Sequence, residues 1–149
     1  MDRSEAIQDA EVLEPLQQAI LRAVLLGSPL PGGRTLTLPD STFLADQPEL
    51  LISDENLVAS VPSEGASQRV RVASSSDIAR TAVEQERDIA YLRFQPAERN
   101  GDEIRIALEA RLAPHSPHIR ALGLSGASVT FRRKAGGWVA TDEPIQVAM

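Results

Sequence analysis

The stretch from Glu103 to Ala113 alternates apolar and polar side chains with a period of two residues. Successive side chains of a β-strand point to opposite faces of the sheet, so this pattern predicts a strand with one dry face and one charged face. Because the dry face must be covered, the fold needs a second layer. The apolar positions are Ile104, Ile106, Leu108, Ala110 and Leu112, and Arg105, Glu109 and Arg111 alternate with them.

The N-terminal segment supplies a candidate for that second layer. Apolar residues recur there at steps of three and four, which predicts a helix over residues 4–26 with one apolar stripe. Pro15 cannot donate a backbone hydrogen bond, so we expect it to separate a frayed lead-in from the firm part of the helix. The stripe consists of Leu13, Leu16, Ile20 and Val24.

The remaining elements follow from alternation, turn residues and caps. A short helix is predicted from Asp77 to Arg87, because the run from Ser74 to Asp77 offers N-cap side chains. Leu50–Ile52 fits a buried strand, and Ser53 fits the cap of a short helix through Leu57 to Ala59, but the pattern from Phe43 to Pro62 is too weak to establish either element. Strands are also predicted at residues 34–38, 68–73, 89–95, 126–134 and 138–140, with turns at 100–101 and 135–137.

These elements together predict an α+β fold. The order is one helix, then short strands, then a run of longer strands joined by short turns. We therefore expect an N-terminal helix packed on a curved antiparallel sheet, with a meander in the C-terminal half. The length of 149 residues suits a single domain over 1–149.

The charge balance bears on the kind of partner. The formal net charge is −6, and an acidic surface repels the phosphates on which nucleic-acid affinity largely rests. One tryptophan, one tyrosine and three phenylalanines are too few and scattered for a base-stacking platform. Nucleic acid is therefore not an expected partner.

The sequence also bears on the membrane and the compartment. No apolar run approaches the roughly 20 residues of a membrane-spanning helix, so no membrane partner is expected. The acidic start Met-Asp-Arg-Ser-Glu-Ala is unlike the basic beginning of a secretory signal, and the chain as written is expected to be cytoplasmic. A signal peptide removed beforehand would leave the same chain.

Candidate catalytic and metal-binding groups are few. His115 and His118 lie close together, but a metal site needs a third ligand, and no acidic residue lies between Glu109 and Asp142. The chain has no cysteine, no Gly-x-Ser-x-Gly pattern and no phosphate-binding glycine loop. The sequence therefore predicts no metal, no cofactor and no catalytic residue, and it favours a non-enzymatic role without deciding the matter.

The end of the chain carries a resemblance. Residues 128–139 read Ser-Val-Thr-Phe-Arg-Arg-Lys-Ala-Gly-Gly-Trp-Val, a strand, a glycine turn and a tryptophan on the returning strand. With the N-terminal helix and the late meander, this resembles the closing hairpin of NTF2-like and cystatin-like bacterial proteins. The resemblance implies an α+β fold. NTF2-like domains include isomerases, dehydratases and plain interaction modules, and no position here matches the Asp and His arrangement of the enzymatic members.

The polar side of the predicted sheet is rich in arginine. Guanidinium groups clustered on an acidic protein suit a carboxylate or phosphate ligand, an acidic protein partner or a second copy of the chain. The alternative is a solvated face whose arginines pair with nearby carboxylates. The candidate interaction residues are Arg69, Arg71, Arg93, Arg105, Arg111 and Arg132.

Two functions from different classes follow. The first is a non-enzymatic binding or protein-interaction module, with a homo-oligomer or another protein as the partner. The second is a small-molecule-binding or enzymatic NTF2-like domain with a pocket between helix and sheet. A filled helix–sheet gap favours the first function, and a cavity there of about 300 Å³ or more with a buried polar group favours the second. The residues expected to line that pocket are Leu16, Ile20, Ile106, Leu108, Phe131 and Trp138.

Overall fold

A long helix precedes a curved eight-stranded sheet in the computed structural model, which describes residues 3–36, 47, 49–61, 69–116, 118–119, 122–141 and 144–148. The helices are α1 (Arg3–Leu26) and α2 (Ser75–Glu84). The strands are β1 (Glu49–Ser53), β2 (Arg69–Ala73), β3 (Ile89–Phe94), β4 (Glu98–Asn100), β5 (Glu103–Ala113), β6 (Leu122–Lys134), β7 (Gly137–Ala140) and β8 (Ile145–Ala148). The predicted α+β class is confirmed.

The sheet is mixed rather than antiparallel throughout. Its strand order is β2-β1-β3-β5-β6-β7, with β4 also paired to β5 and β8 to β6. The C-terminal part is the expected antiparallel meander, in which β5 lies between β3 and β6. Strand β1 instead runs parallel to both β2 and β3, which corrects the expectation of a purely antiparallel sheet. The parallel pairing requires a crossover between β2 and β3, and α2 provides it.

The main core lies between α1 and one face of the sheet. Ile104, Ile106 and Leu108 of β5 are buried in the same cluster as Leu16 and Ile20 of α1. The period-two alternation of β5 therefore presses its apolar side against the helix, as the sequence predicts. Burial of each large aliphatic side chain contributes about 1.5–3 kcal/mol, so this row is a major source of stability.

The opposite face of the sheet is covered at one end only. Helix α2 begins after Ser74, whose hydroxyl accepts a hydrogen bond from the Asp77 N–H at 3.1 Å. Ile78 and Ala82 of this helix are buried in a second, smaller cluster. The sheet contributes Leu51, Ile89, Tyr91 and Ala113 to it. Beyond this cluster the same face of the sheet carries Arg93, Arg105 and Glu109.

The prediction that Pro15 separates a frayed lead-in from the helix is wrong. Helix α1 continues through Pro15 from Arg3 to Leu26. Pro15 and Glu11 are both exposed. The Glu11 carbonyl, to which Pro15 has no N–H to donate, is therefore on the side of the helix that water can reach, where the missing hydrogen bond costs little.

Three shorter segments also differ from the predictions. No helix forms after Ser53, because the chain turns at Asn56, which has a φ of 58°. Residues 34–36 are not a strand, and residues 37, 38 and 68 of the predicted strands lie outside the described part. Strand β6 begins at Leu122 rather than at Gly126, and its earlier residues pair with the end of β5 across a bulge.

Candidate functional site: an arginine-floored groove beside α2

A buried carboxylate organises the polar face of the sheet. Glu109 has a side chain that is 6% exposed, and it lies directly opposite Arg93 in the β3–β5 pair. The Arg93 Nε–H donates to Glu109 Oε1 at 2.7 Å, and Arg111 donates to the same oxygen at 3.3 Å. Gln95 donates to the second oxygen at 3.1 Å. A carboxylate this far from water needs such partners, and in turn it holds both guanidinium groups in place.

A groove of about 280 Å³ lies over these arginines. Its floor contains Tyr91, Arg93 and Arg111. One wall is α2, which contributes Ser75, Ala79 and Val83, and the other follows the end of β5 through Pro114, Ser116 and Ile119. Among the described residues that line it, the two arginines are the only charged ones. The groove therefore combines small apolar and hydroxyl-bearing walls with two guanidinium groups that are both paired with Glu109. Arg93 also lies 3.5 Å from Glu55 Oε2.

A histidine–aspartate contact fixes the wall that follows β5. The backbone N–H of His115 donates to Asp88 Oδ1 at 2.9 Å, and His115 Nδ1 lies 2.6 Å from the same oxygen. These hydrogen bonds, the backbone one first and the ring one second, lower the pKa of Asp88. The contact ties the segment after β5 to the turn before β3. His115 thus has a structural partner, and His118 is exposed.

The structure does not bring the six predicted arginines together in one cluster. Three pair with carboxylates away from the groove: Arg71 with Glu49 at 2.9 Å, Arg105 with Glu98, and Arg132 with Glu103. Arg69 is exposed on the edge strand β2. Arg93 and Arg111 are the two that share a buried partner and line the groove.

The six residues expected to line a helix–sheet pocket lie in the core. Leu16, Ile20, Ile106, Leu108 and Phe131 are each at most 3% exposed, and Trp138 packs against the same cluster. The gap between α1 and the sheet is filled where these side chains meet.

A separate cleft of about 310 Å³ opens at one end of the helix–sheet layer, and none of those six residues lines it. Its apolar walls come from Leu13, Val58, Pro96, Ala97 and Ile104. Asn56 and Arg99 complete its lining. The Arg99 guanidinium lies over the Trp138 ring, 5.8 Å from its centroid.

The sequence predicts the side chains on the floor of the groove but not the placement of its walls. Alternation along β3 and β5 places Arg93, Glu109 and Arg111 on one face, and that signal is local. The position of α2 depends on the parallel β1–β3 pairing, which no local pattern specifies. The cleft has no sequence signal, because its residues come from separate parts of the chain and share no local pattern.

Within the described ranges, no three histidine, aspartate or glutamate side chains are grouped closely enough to hold a metal ion. No described helix combines the length and the apolar character needed to cross a bilayer.

Comparison with protein-family models, with curated proteins and with solved structures finds no match. The resemblance to NTF2-like and cystatin-like proteins stays a prediction.

Proposed function

We propose that this protein is a non-catalytic binding module that takes an acidic segment of a partner protein into the groove beside α2. The observation that carries the proposal is the floor of that groove. There Arg93 and Arg111 are held by the buried Glu109, and no carboxylate is found among the described lining residues. A carboxylate from a partner would meet donors that are already oriented, which lowers the entropy cost of binding.

The walls favour a peptide over a bare anion. Ala79, Val83 and Pro114 offer small apolar surfaces, and Ile119 is 56% exposed beside them. An acidic residue with an apolar neighbour would therefore place its carboxylate on the floor and its neighbour against a wall. Ser75 and Ser116 add hydroxyl groups for the peptide backbone.

The overall charge of −6 is compatible with such a ligand. At physiological ionic strength the screening length is about 8 Å, so a short peptide in the groove responds mainly to nearby charges. These are the guanidinium groups of Arg93 and Arg111 and the carboxylates of Glu109 and Glu55 that pair with them. A long polyanion such as nucleic acid would also meet the acidic remainder of the surface. The proposed ligand is therefore a short acidic segment and not a long polyanion.

The chemistry of the groove supports binding rather than catalysis. Arginine stays protonated in proteins and is a poor proton carrier. The Glu109 carboxylate is occupied by donors from three side chains. Neither group is arranged as a general acid or base that reaches a bound molecule.

The test compares two capped peptides by isothermal titration calorimetry, one with a glutamate between two leucines and one with glutamine in its place. We expect the glutamate peptide to bind about tenfold more tightly, which corresponds to the roughly 1.4 kcal/mol of one partly solvated charged hydrogen bond. Arg93→Gln and Arg111→Gln should each abolish that preference, with folding checked by circular dichroism.

Arg132→Gln is the matched control, because this arginine is paired with Glu103 outside the groove. It should bind like the parent. Equal weakening by all three variants would instead assign binding to the wider arginine face, and equal affinity for both peptides would refute the proposal. Light scattering during the titration shows whether a second copy of the chain takes the place of the peptide.

A further inference from the structure

The apolar cleft lined by Leu13 of α1 is the second feature of the molecule that is shaped for a ligand. It lies on the α1 side of the sheet, since its residue Ile104 shares a β5 face with Ile106 and Leu108. The groove beside α2 lies on the other side. The two sites therefore use different side chains, and a test of one does not decide the other.

A buried amide builds one wall of the cleft. Gln17 of α1 is 1% exposed, and its Nε2–H donates to the carbonyl oxygen of Asn56 at 2.7 Å. Its Oε1 accepts from the N–H groups of Val58 at 2.9 Å and Ala59 at 3.3 Å. The Gln17 side chain thus makes three hydrogen bonds to the connection between β1 and β2, and these hold the connection against α1.

Asn56 ties the same connection to the sheet. Its side-chain N–H donates to the carbonyl oxygen of Phe94 at 3.0 Å, and its φ of 58° is one that few residues other than glycine adopt. The connection is therefore held from both sides in a bent shape. As a result Val58 is 43% exposed at the cleft instead of being packed into the core.

Arg99 is the one charged side chain among the described residues that line the cleft. Its Nε–H donates to the carbonyl oxygen of Gly101 at 3.4 Å. Arg99 also lies over the Trp138 ring, which restricts where the guanidinium can go. The described residues of the lining include no carboxylate. An apolar body with one acidic group at its end matches this arrangement of apolar walls and a single guanidinium.

From the preformed walls and the guanidinium beside them, we infer that the cleft binds a small amphipathic monocarboxylate, an acid with an aryl or short alkyl body. The volume of about 310 Å³ lies at the lower end of the range for small-molecule sites, about 300–1,000 Å³. It suits a compact acid and is too small for a nucleotide cofactor with its full length enclosed. Because the wall is already held by Gln17, little of the binding free energy goes into ordering it.

The probe for this site is 4-phenylbutyrate, with 4-phenylbutanol as its uncharged counterpart. Binding is followed by amide chemical shifts in two-dimensional NMR, which reports both affinity and location. We expect the acid to shift the amides around Asn56, Val58 and Ala97 and to bind about five to ten times more tightly than the alcohol. Arg99→Gln should make the two affinities equal.

Filling the cleft gives the second arm of the test. Ala97 is exposed on the connection between β3 and β4, so Ala97→Trp should occupy the cleft without disturbing the core and weaken the acid at least tenfold. Ala135→Trp places the same side chain in the exposed β6–β7 turn and should bind like the parent. Unchanged binding in Ala97→Trp, or shifts confined to the groove beside α2, would overturn the inference.

Discussion

Replacement of Glu109 by glutamine removes a buried charge while keeping the shape of the side chain. The carboxylate accepts hydrogen bonds from Arg93, Gln95 and Arg111. Glutamine keeps only one oxygen, so either the arginines or Gln95 must face an N–H group that cannot accept. The variant therefore loses at least one hydrogen bond, and the hydrogen bonds that remain no longer have a charged acceptor.

The size of the effect follows from burial. Loss of one partner from a fully buried ion pair costs about 3–5 kcal/mol, because the remaining charge has no compensation. Here the side chains of Arg93 and Arg111 are 26% and 20% exposed, so water compensates them in part. We expect Glu109→Gln to lower the free energy of unfolding by about 2–3 kcal/mol.

Urea denaturation measures this loss. With an m-value of about 2 kcal/mol per molar urea, the midpoint should fall by about 1–1.5 M. Glu49→Gln is the matched control, since Glu49 also pairs with an arginine across neighbouring strands but its side chain is 30% exposed. The control should change stability by less than about 1 kcal/mol. Equal midpoints for the two variants would refute the role of Glu109 as the fixed point of the groove.

Three further perturbations test other parts of the structure. Gln17→Leu leaves two backbone N–H groups of the β1–β2 connection without their acceptor and should cost about 1–3 kcal/mol in urea denaturation, whereas the neighbouring Gln18→Leu should change little. Ile106→Ala opens a cavity in the main core and should cost about 2–5 kcal/mol in the same assay, and a smaller loss would show that the core can close around it. Hydrogen bonds from His115 lower the pKa of Asp88, so the stability they supply is present above the ordinary aspartate pKa of about 3.9 and is lost as the pH falls through the lower folded value. Asp88→Asn should therefore lower the melting temperature near neutral pH and flatten its decline below about pH 4, and a parallel decline in both proteins would contradict this.

The elements that were predicted correctly from the sequence are those that depend on a local pattern of residues. The bounds of β5 agree with the predicted ones, because Ile104, Ile106 and Leu108 alternate with charged residues without interruption. The helix boundaries of α1 followed from its apolar stripe and from Gly27, which has a φ of 72° just beyond the last turn. In each case the residues that decide the structure lie within a few positions of one another.

The missed features depend on residues far apart in the chain. The turn at Asn56 forms in place of a helix because Gln17, 39 positions earlier, supplies a buried hydrogen-bond partner. Leu51 lies beside Tyr91 because β1 pairs in parallel with β3, although β2 and α2 separate these two strands in the sequence. Strand β8 was not predicted either: it pairs with β6, a part of the chain about 20 residues away, and Ile145 at its start is 62% exposed.

The candidate groove and the pairing register of the sheet rest on the same residues. Arg93 pairs directly with Glu109 across β3 and β5. A slip of one residue would set Arg93 against Leu108 or Ala110 and turn the Glu109 carboxylate towards the apolar core under α1, where it would have no partner. The charge pair therefore opposes misregistration of the central strands. The correct register in turn sets both guanidinium groups on the floor beside α2, so folding itself delivers them in the orientation that an incoming carboxylate would meet.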